Sequence, residues 1–475
     1  MTESKKTRKS RVERDALGTK DLPADAYYGI QTQRAVENFP VSGIMPVGEF
    51  IWATAVVKRA AAEVNTELGL LDKRRGRAIM MAADEVIEGK LHGEFVVDVY
   101  QAGAGTSHNM NANEVIANRA IELLGGTKGD YSVLHPNDHV NMSQSTNDTV
   151  PTAMRLAAVR MSGCLIASLR RLEVGLRRKA RSFGGVVKSA RTHLRDAVPI
   201  MLGQEFSAYA ESVKGCRLRI QRECEGLKLL GIGGTAAGTG VNTHPRYRKM
   251  MISALRRLSG IRGLKPAPDM VEATSSMAAF VSFSGALKTL SVELTRIAND
   301  LRLLSSGPRT GLSEVELPPV QPGSSIMPGK VNPVMAEMLN MVCFQVMGAD
   351  HTVTMASQAG QLELNPMMPV INHNILHSVK ILTNAVRAFT ERCIKGIRAD
   401  RKRCREYFER SLGLATVLSP SMGHEETAAL AVKAEAEGLT IRELISMTGV
   451  FTEEELDALF DPARLTRPQL GAGRK

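Results

Sequence analysis

Between Phe280 and Leu304 the side chains Phe280, Phe283, Leu287, Leu290, Leu294, Ile297, Leu301 and Leu304 recur in alternating steps of three and four. That spacing puts all eight on one stripe of a helix, whereas a strand would scatter them over both faces. A stripe of this length needs a helix of about seven turns. Leu165, Leu169, Leu172 and Leu176 make a shorter version, and similar apolar-periodic runs occupy about 203–230, 334–357 and 369–395. Five long helices predict a bundle with its connecting loops gathered at the two ends. Composition agrees: aromatics are only 4%, so the core must rest on Leu, Met, Val, Ile and Ala, which suit packed helices better than sheets. The seam exceeds what one slim bundle needs, so association with further copies of the chain is expected.

Three regions separate along the 475 residues. Residues 1–142 mix short helical stretches with Gly- and Asn-rich loops, 143–400 hold the long helical runs, and 401–475 form a smaller helical region. Residues 1–14 read as a basic, solvated tail, carrying Lys5, Lys6, Arg8, Lys9, Arg11 and Arg14. The tail accounts for part of the formal net charge of +12. That charge first suggests nucleic acid or an acidic ligand, but the lack of base-stacking aromatics and of a groove-reading motif argues against a nucleic-acid partner. No apolar h-region marks a secretory signal, and no uninterrupted apolar run suggests a membrane span. The six cysteines are scattered, with no C-x-x-C pair, which points to reduced thiols in the cytoplasm.

Four polar segments interrupt the helical pattern: Gly103–Asn113 (GAGTSHNMNAN), His135–Asp148 (HPNDHVNMSQSTND), Ala190–Pro199 (ARTHLRDAVP) and Gln321–Pro333 (QPGSSIMPGKVNP). Taken singly, each could be a turn or a helix cap, because Ser, Thr, Asn and Gly favour both. His135 and His139 lack a third ligand, so no metal is expected there. The run Gly231–Gly240 (GIGGTAAGTG) follows a helical stretch where a dinucleotide loop needs a strand, so it reads as a close backbone turn.

Together, in order and spacing, the four segments resemble the conserved regions of the class II fumarase/aspartase superfamily. The fourth carries the superfamily's signature, G-S-S-x-M-P-x-K-x-N-P, within Gly323–Glu337. The resemblance runs from about Asp15 to near the C-terminus. It implies a mostly α, three-domain fold whose central long-helix bundle forms a homotetramer, with active sites built from three subunits and no cofactor or metal. It also implies a reaction on a small dicarboxylate or amino-acid substrate. A proton is removed from the carbon beside a carboxylate, then a leaving group is expelled from the neighbouring carbon. Removing that proton piles a second negative charge onto the carboxylate, so hydroxyls, amides and backbone N–H groups must stabilise an aci-carboxylate dianion.

By resemblance, Ser324 is the general base on a mobile loop, with Lys330 as the nearby cation. Thr106, Ser145, Thr146 and Ser325 would grip the carboxylate that becomes the dianion. Thr192, His193, Lys330 and Asn332 would hold the other carboxylate, while Asn147, with His193 nearby, would position a leaving amino group. As an alternative, Ser324 and Ser325 would merely cap the following helix.

Ser145-Thr146-Asn147, Asp196–Pro199, Asn332-Pro333-Val334, Ala359–Asn365 and Ala24–Gln31 resemble the aspartase branch, implying reversible deamination of L-aspartate to fumarate. His135–Asn141 and Gly233–Pro245 resemble fumarases, which leaves hydration of fumarate to L-malate as the alternative. An inactive helical scaffold is a third reading, against which every matched catalytic position is intact. Departures from the pattern are Ala102, His108, Arg195, Pro366 and Met368. The added His108 and Arg195 are expected to shift substrate preference or pH optimum.

Overall fold

The computed structural model describes residues 9–468, which are mostly helical, with four two-stranded ribbons among them. The long helices fall where the periodicity puts them: Thr146–Ser182, Leu202–Gly226, Ala278–Leu304, Val334–Gln358 and Met368–Arg392. The chain divides into two compact units, and neither is a single stretch of sequence. The first comprises residues 1–167, 218–291 and 344–383; the second comprises 168–217, 292–343 and 384–475.

The first unit has a core between the helices Gly48–Glu67, Lys73–Ile87 and Thr106–Leu123, built from Ile51, Ile79, Val86, Val115, Ile116 and Ile121. Alanines at 55, 62, 78, 82, 83, 112, 117 and 120 lie in the same core, their small side chains letting helix backbones approach closely. In the second unit the chain end packs Leu414, Leu418, Leu430, Ile441, Leu444, Leu456 and Phe460 around Phe408 and Val187. Its short helices are held by reciprocal caps, Thr440 with Glu443 and Thr452 with Glu455.

Three expectations change. The basic tail does not extend to residue 14. Ser10–Asp15 pairs with Gly18–Pro23, and the Arg11 guanidinium donates to the carbonyls of Pro23, Ala26 and Tyr28. Lys5, Lys6 and Arg8 lie outside the described residues. The Phe280–Leu304 seam is buried within one chain, from Phe283 at 0% to Leu304 at 7% exposure, so it is not itself an unsatisfied surface. The exposed apolar side chains of the long helices lie elsewhere, with Met341, Phe344 and Met355 following one side of Val334–Gln358. Finally, Thr146–Ser182 contains a window long and apolar enough to cross a membrane by composition alone. That window is 67% buried inside the protein, as a core helix is.

Candidate active site

In the first unit the first two polar segments and the Gly231–Gly240 turn meet around Asp148. The loop entering helix Thr106–Leu123 turns through left-handed backbone at Ala104 and Gly105, with the Ala104 N–H bonded to the Pro366 carbonyl at 2.8 Å. Thr106 opens the helix with its side chain exposed. One turn on, the Asn109 amide donates to Thr146 Oγ1 at 3.3 Å and to Asn141 Oδ1 at 3.2 Å. This joins the first polar segment to the second.

Ser145, Thr146 and Asn147 enter helix Thr146–Ser182, and Asp148 lies behind them at 1% exposure. One Asp148 carboxylate oxygen accepts the Ser145 N–H at 3.0 Å. The other accepts the N–H groups of Gly233 and Thr235 at 2.9 and 3.0 Å. The Gly231–Gly240 turn is thereby pinned to the Ser145–Asn147 segment, and its Ala236 carbonyl accepts the Asn147 amide at 2.8 Å. Only glycine fits at 238: with φ at +89°, a Cβ would lie 2.5 Å from the Val271 nitrogen.

Burial pushes the Asp148 carboxyl up to about 6, against the pull of its three backbone donors. Lys58, fully buried and bonded to Asn141 Oδ1 at 2.8 Å, is pushed down to about 7 by burial, with the charge of Asp148 opposing. Sequence reading missed Lys58, Asn109, Asp148 and the role of the glycine turn. A polar signal was present only for Asn109 and Asp148, which lie inside the quoted motifs.

In the second unit Val187–Thr192 and Arg195–Met201 form an antiparallel hairpin with His193 and Leu194 at its tip. Both tip residues have positive φ, 54° and 60°, as a type I′ hairpin turn requires, although neither is glycine. Thr192, His193 and Arg195 are exposed there. The hairpin is fixed from below by Glu314, which is fully buried. Lys188 Nζ lies 2.9 Å from one of its oxygens, and Arg191 Nη1 lies 2.9 Å from both. Lys188 is shared with Glu205, also at 2.9 Å.

The signature segment is a loop closed at its neck. The Gly323 N–H donates to the Lys330 carbonyl at 2.8 Å, and the Asn332 amide donates to the Gly323 carbonyl at 2.7 Å. A Cβ on Gly323 would lie 2.6 Å from the Lys330 carbonyl oxygen, so the neck needs glycine. Ser324 Oγ accepts the backbone N–H groups of Ile326 and Met327 at 3.2 and 3.0 Å. Ser325 and Lys330 are exposed on the same loop. The next helix starts only at Val334, so Ser324 and Ser325 do not cap it. The candidate residues thus form one group in the first unit (Thr106, Ser145, Thr146, Asn147) and two in the second: the hairpin tip, and the loop with Ser324, Ser325, Lys330 and Asn332.

Of the departures, His108 is not a surface titrating group. It is 1% exposed and stacked on Phe50 with ring centroids 4.3 Å apart. Burial, with the charge of Lys58 assisting, pushes its pKa down to about 3. It therefore cannot set a pH optimum near neutrality. His135 and His139 each accept backbone N–H groups through Nδ1, which accounts for the pair as a local turn.

Residues 18–348 match the lyase family model, and 414–467 match the fumarase C C-terminus. The chain is 51% identical over 465 residues to an aspartate ammonia-lyase of a Bacillus species, covering 98% of this chain and 99% of that one. It is 48% identical over 467 residues to the Escherichia coli (strain K12) aspartate ammonia-lyase, covering 98% of each. Its structure matches fumarate lyase:delta crystallin from Brucella melitensis bound to cobalt with a TM-score of 0.94 and 49% identity, covering 97% of this chain and 100% of that one. It matches a class II fumarase from Schistosoma mansoni with the same TM-score at 37% identity, again covering 97% and 100%. The chain belongs to the fumarase/aspartase superfamily of lyases, with the mostly α fold of that superfamily.

Proposed function

We infer that this enzyme is a carbon–nitrogen lyase of the aspartase type, catalysing the reversible deamination of L-aspartate to fumarate and ammonia. The observation that carries this is full-length identity of 51% and 48% to two aspartate ammonia-lyases, against 37% to a class II fumarase.

In the proposed mechanism, Ser324 as its alkoxide takes the proton from the carbon beside one substrate carboxylate. A serine oxyanion is a strong base and needs stabilisation. The Ile326 and Met327 N–H groups already point at Oγ, supporting the role. Thr106, Ser145, Thr146 and Ser325 hold the carboxylate on which the dianion develops. Thr192, His193, Lys330 and Asn332 hold the other. The carbon–nitrogen bond then breaks with its electron pair leaving on nitrogen, which Asn147 orients. Since the amine of aspartate is an ammonium, the departing molecule is neutral ammonia.

We further assign the chain to a homotetramer with shared active sites. The exposed stripe of Met341, Phe344 and Met355 is a surface that a second copy would cover. The enzyme is assigned to the cytoplasm, where its six cysteines, none in a disulfide, would stay reduced. The test follows fumarate absorbance in the ultraviolet with purified protein and either L-aspartate or L-malate. Fumarate from aspartate alone is expected; fumarate from malate alone overturns the reading.

A further inference from the structure

Behind the Thr106 loop, in the first unit, lies a cavity of about 30 Å³ whose walls include Phe50, Gly105, His108, Val150, Asn372 and His373. That volume holds roughly one or two molecules the size of water. Two of its lining residues, His108 and Asn372, each carry a polar atom, Nδ1 and Oδ1 respectively, that is buried without a hydrogen-bond partner among the described residues. A buried polar atom left in this way destabilises the fold unless something in the cavity satisfies it.

Both atoms are acceptors. Thr54 Oγ1 donates its single hydrogen to the Phe50 carbonyl at 2.9 Å, so its 2.9 Å contact with His108 Nε2 has the imidazole as donor. Nε2 therefore carries the ring proton, and Nδ1 presents a bare lone pair. The ring stays in this neutral form because burial and the charge of Lys58 oppose a second proton. The same charge disfavours a cation in the cavity. The ligand that fits is a small neutral donor.

We propose that this cavity binds ammonia, whose N–H groups donate to His108 Nδ1 and Asn372 Oδ1. The proposal rests on the reading of Asn147 as the residue that orients the leaving amine. Two walls of the cavity belong to segments of that site: Gly105 directly precedes Thr106, and Val150 follows Asn147 by three residues in the same helix. Ammonia is the neutral product of elimination and the nucleophile of the reverse addition. Held by two acceptors, it keeps its own lone pair unengaged, as addition to fumarate requires. Formation of the new carbon–nitrogen bond uses that pair, and the proton on Ser324 returns to the neighbouring carbon.

The test is initial-rate kinetics of the reverse reaction with saturating fumarate and varied ammonium chloride, ionic strength held constant with sodium chloride. His108→Met and Asn372→Leu each remove one acceptor. The KM for ammonia is expected to rise about fivefold in each, the effect of one hydrogen bond. KM for fumarate should stay within twofold, a split that general disruption would not give. A rise of less than threefold in both variants overturns the proposal and leaves ordered water as the occupant. Should His108→Met fail to fold, Asn372→Leu decides alone. Asn147→Ala separates the two claims. Lost deamination in that variant, with KM for ammonia unmoved in the other two, fails the cavity only; retained deamination fails the underlying reading.

Discussion

Asp148 and Glu314 are both buried carboxylates that hold segments of the candidate site, and they do so by opposite means. Asp148 takes three backbone N–H groups from two loops and has no ion pair within bonding distance among the described residues; Lys58 influences it through its charge. Glu314 is clasped by two cationic side chains of the hairpin it supports. The first arrangement fixes the course of the backbone, which suits the loop carrying the candidate side chains Ser145, Thr146 and Asn147. The second fixes a strand from one face and leaves the strained turn at His193 and Leu194 to project. Removing either carboxylate should therefore fail in a different way.

Glu314→Ala has the largest expected effect. It leaves Lys188 with only Glu205 and strips Arg191 of its partner, and breaking a buried ion pair costs about 3–5 kcal/mol. Urea unfolding measures this. A loss below about 1 kcal/mol would mean that the cluster does not hold the hairpin. Asp148→Ala comes next, leaving the N–H groups of Ser145, Gly233 and Thr235 without their acceptor. The expected loss is about 2–4 kcal/mol, together with a fall in kcat as the Ser145–Asn147 loop drifts. Unchanged turnover would remove Asp148 from the account.

Lys58→Met should have the smallest effect, visible in pH dependence. With its pKa lowered to about 7 in the folded protein, Lys58 gives up a proton that the unfolded chain keeps until near its ordinary value of 10.5. The folded state therefore gains stability as pH rises through that window and loses it as pH falls back. The Lys58→Met variant should show a flatter stability profile between pH 7 and 10; an unaltered slope would mean that Lys58 is charged throughout.

The contrast also explains what the sequence could reveal. The five long helices were legible because a helix writes its buried face into local spacing, as Phe280 to Leu304 does. The candidate hydroxyls and amides are legible because their motifs are contiguous. The two anchors were not. Asp148 meets Gly233 across 85 positions, and Arg191 meets Glu314 across 123. Such pairings depend on the fold and leave no periodic trace. His108 was noticed as an unusual neighbour, yet only the structure shows its ring turned inward onto Phe50. The Phe280–Leu304 spacing marks a helix with an apolar face without saying what covers that face, which the structure shows to be the chain itself.

The account stands most directly on Ser324. Fumarate formation from L-aspartate by Ser324→Ala, measured beside a circular dichroism spectrum and a size determination, tests it in one variant. The account predicts no detectable turnover with helix content and oligomer size unchanged. Substantial turnover in a folded Ser324→Ala enzyme would contradict it.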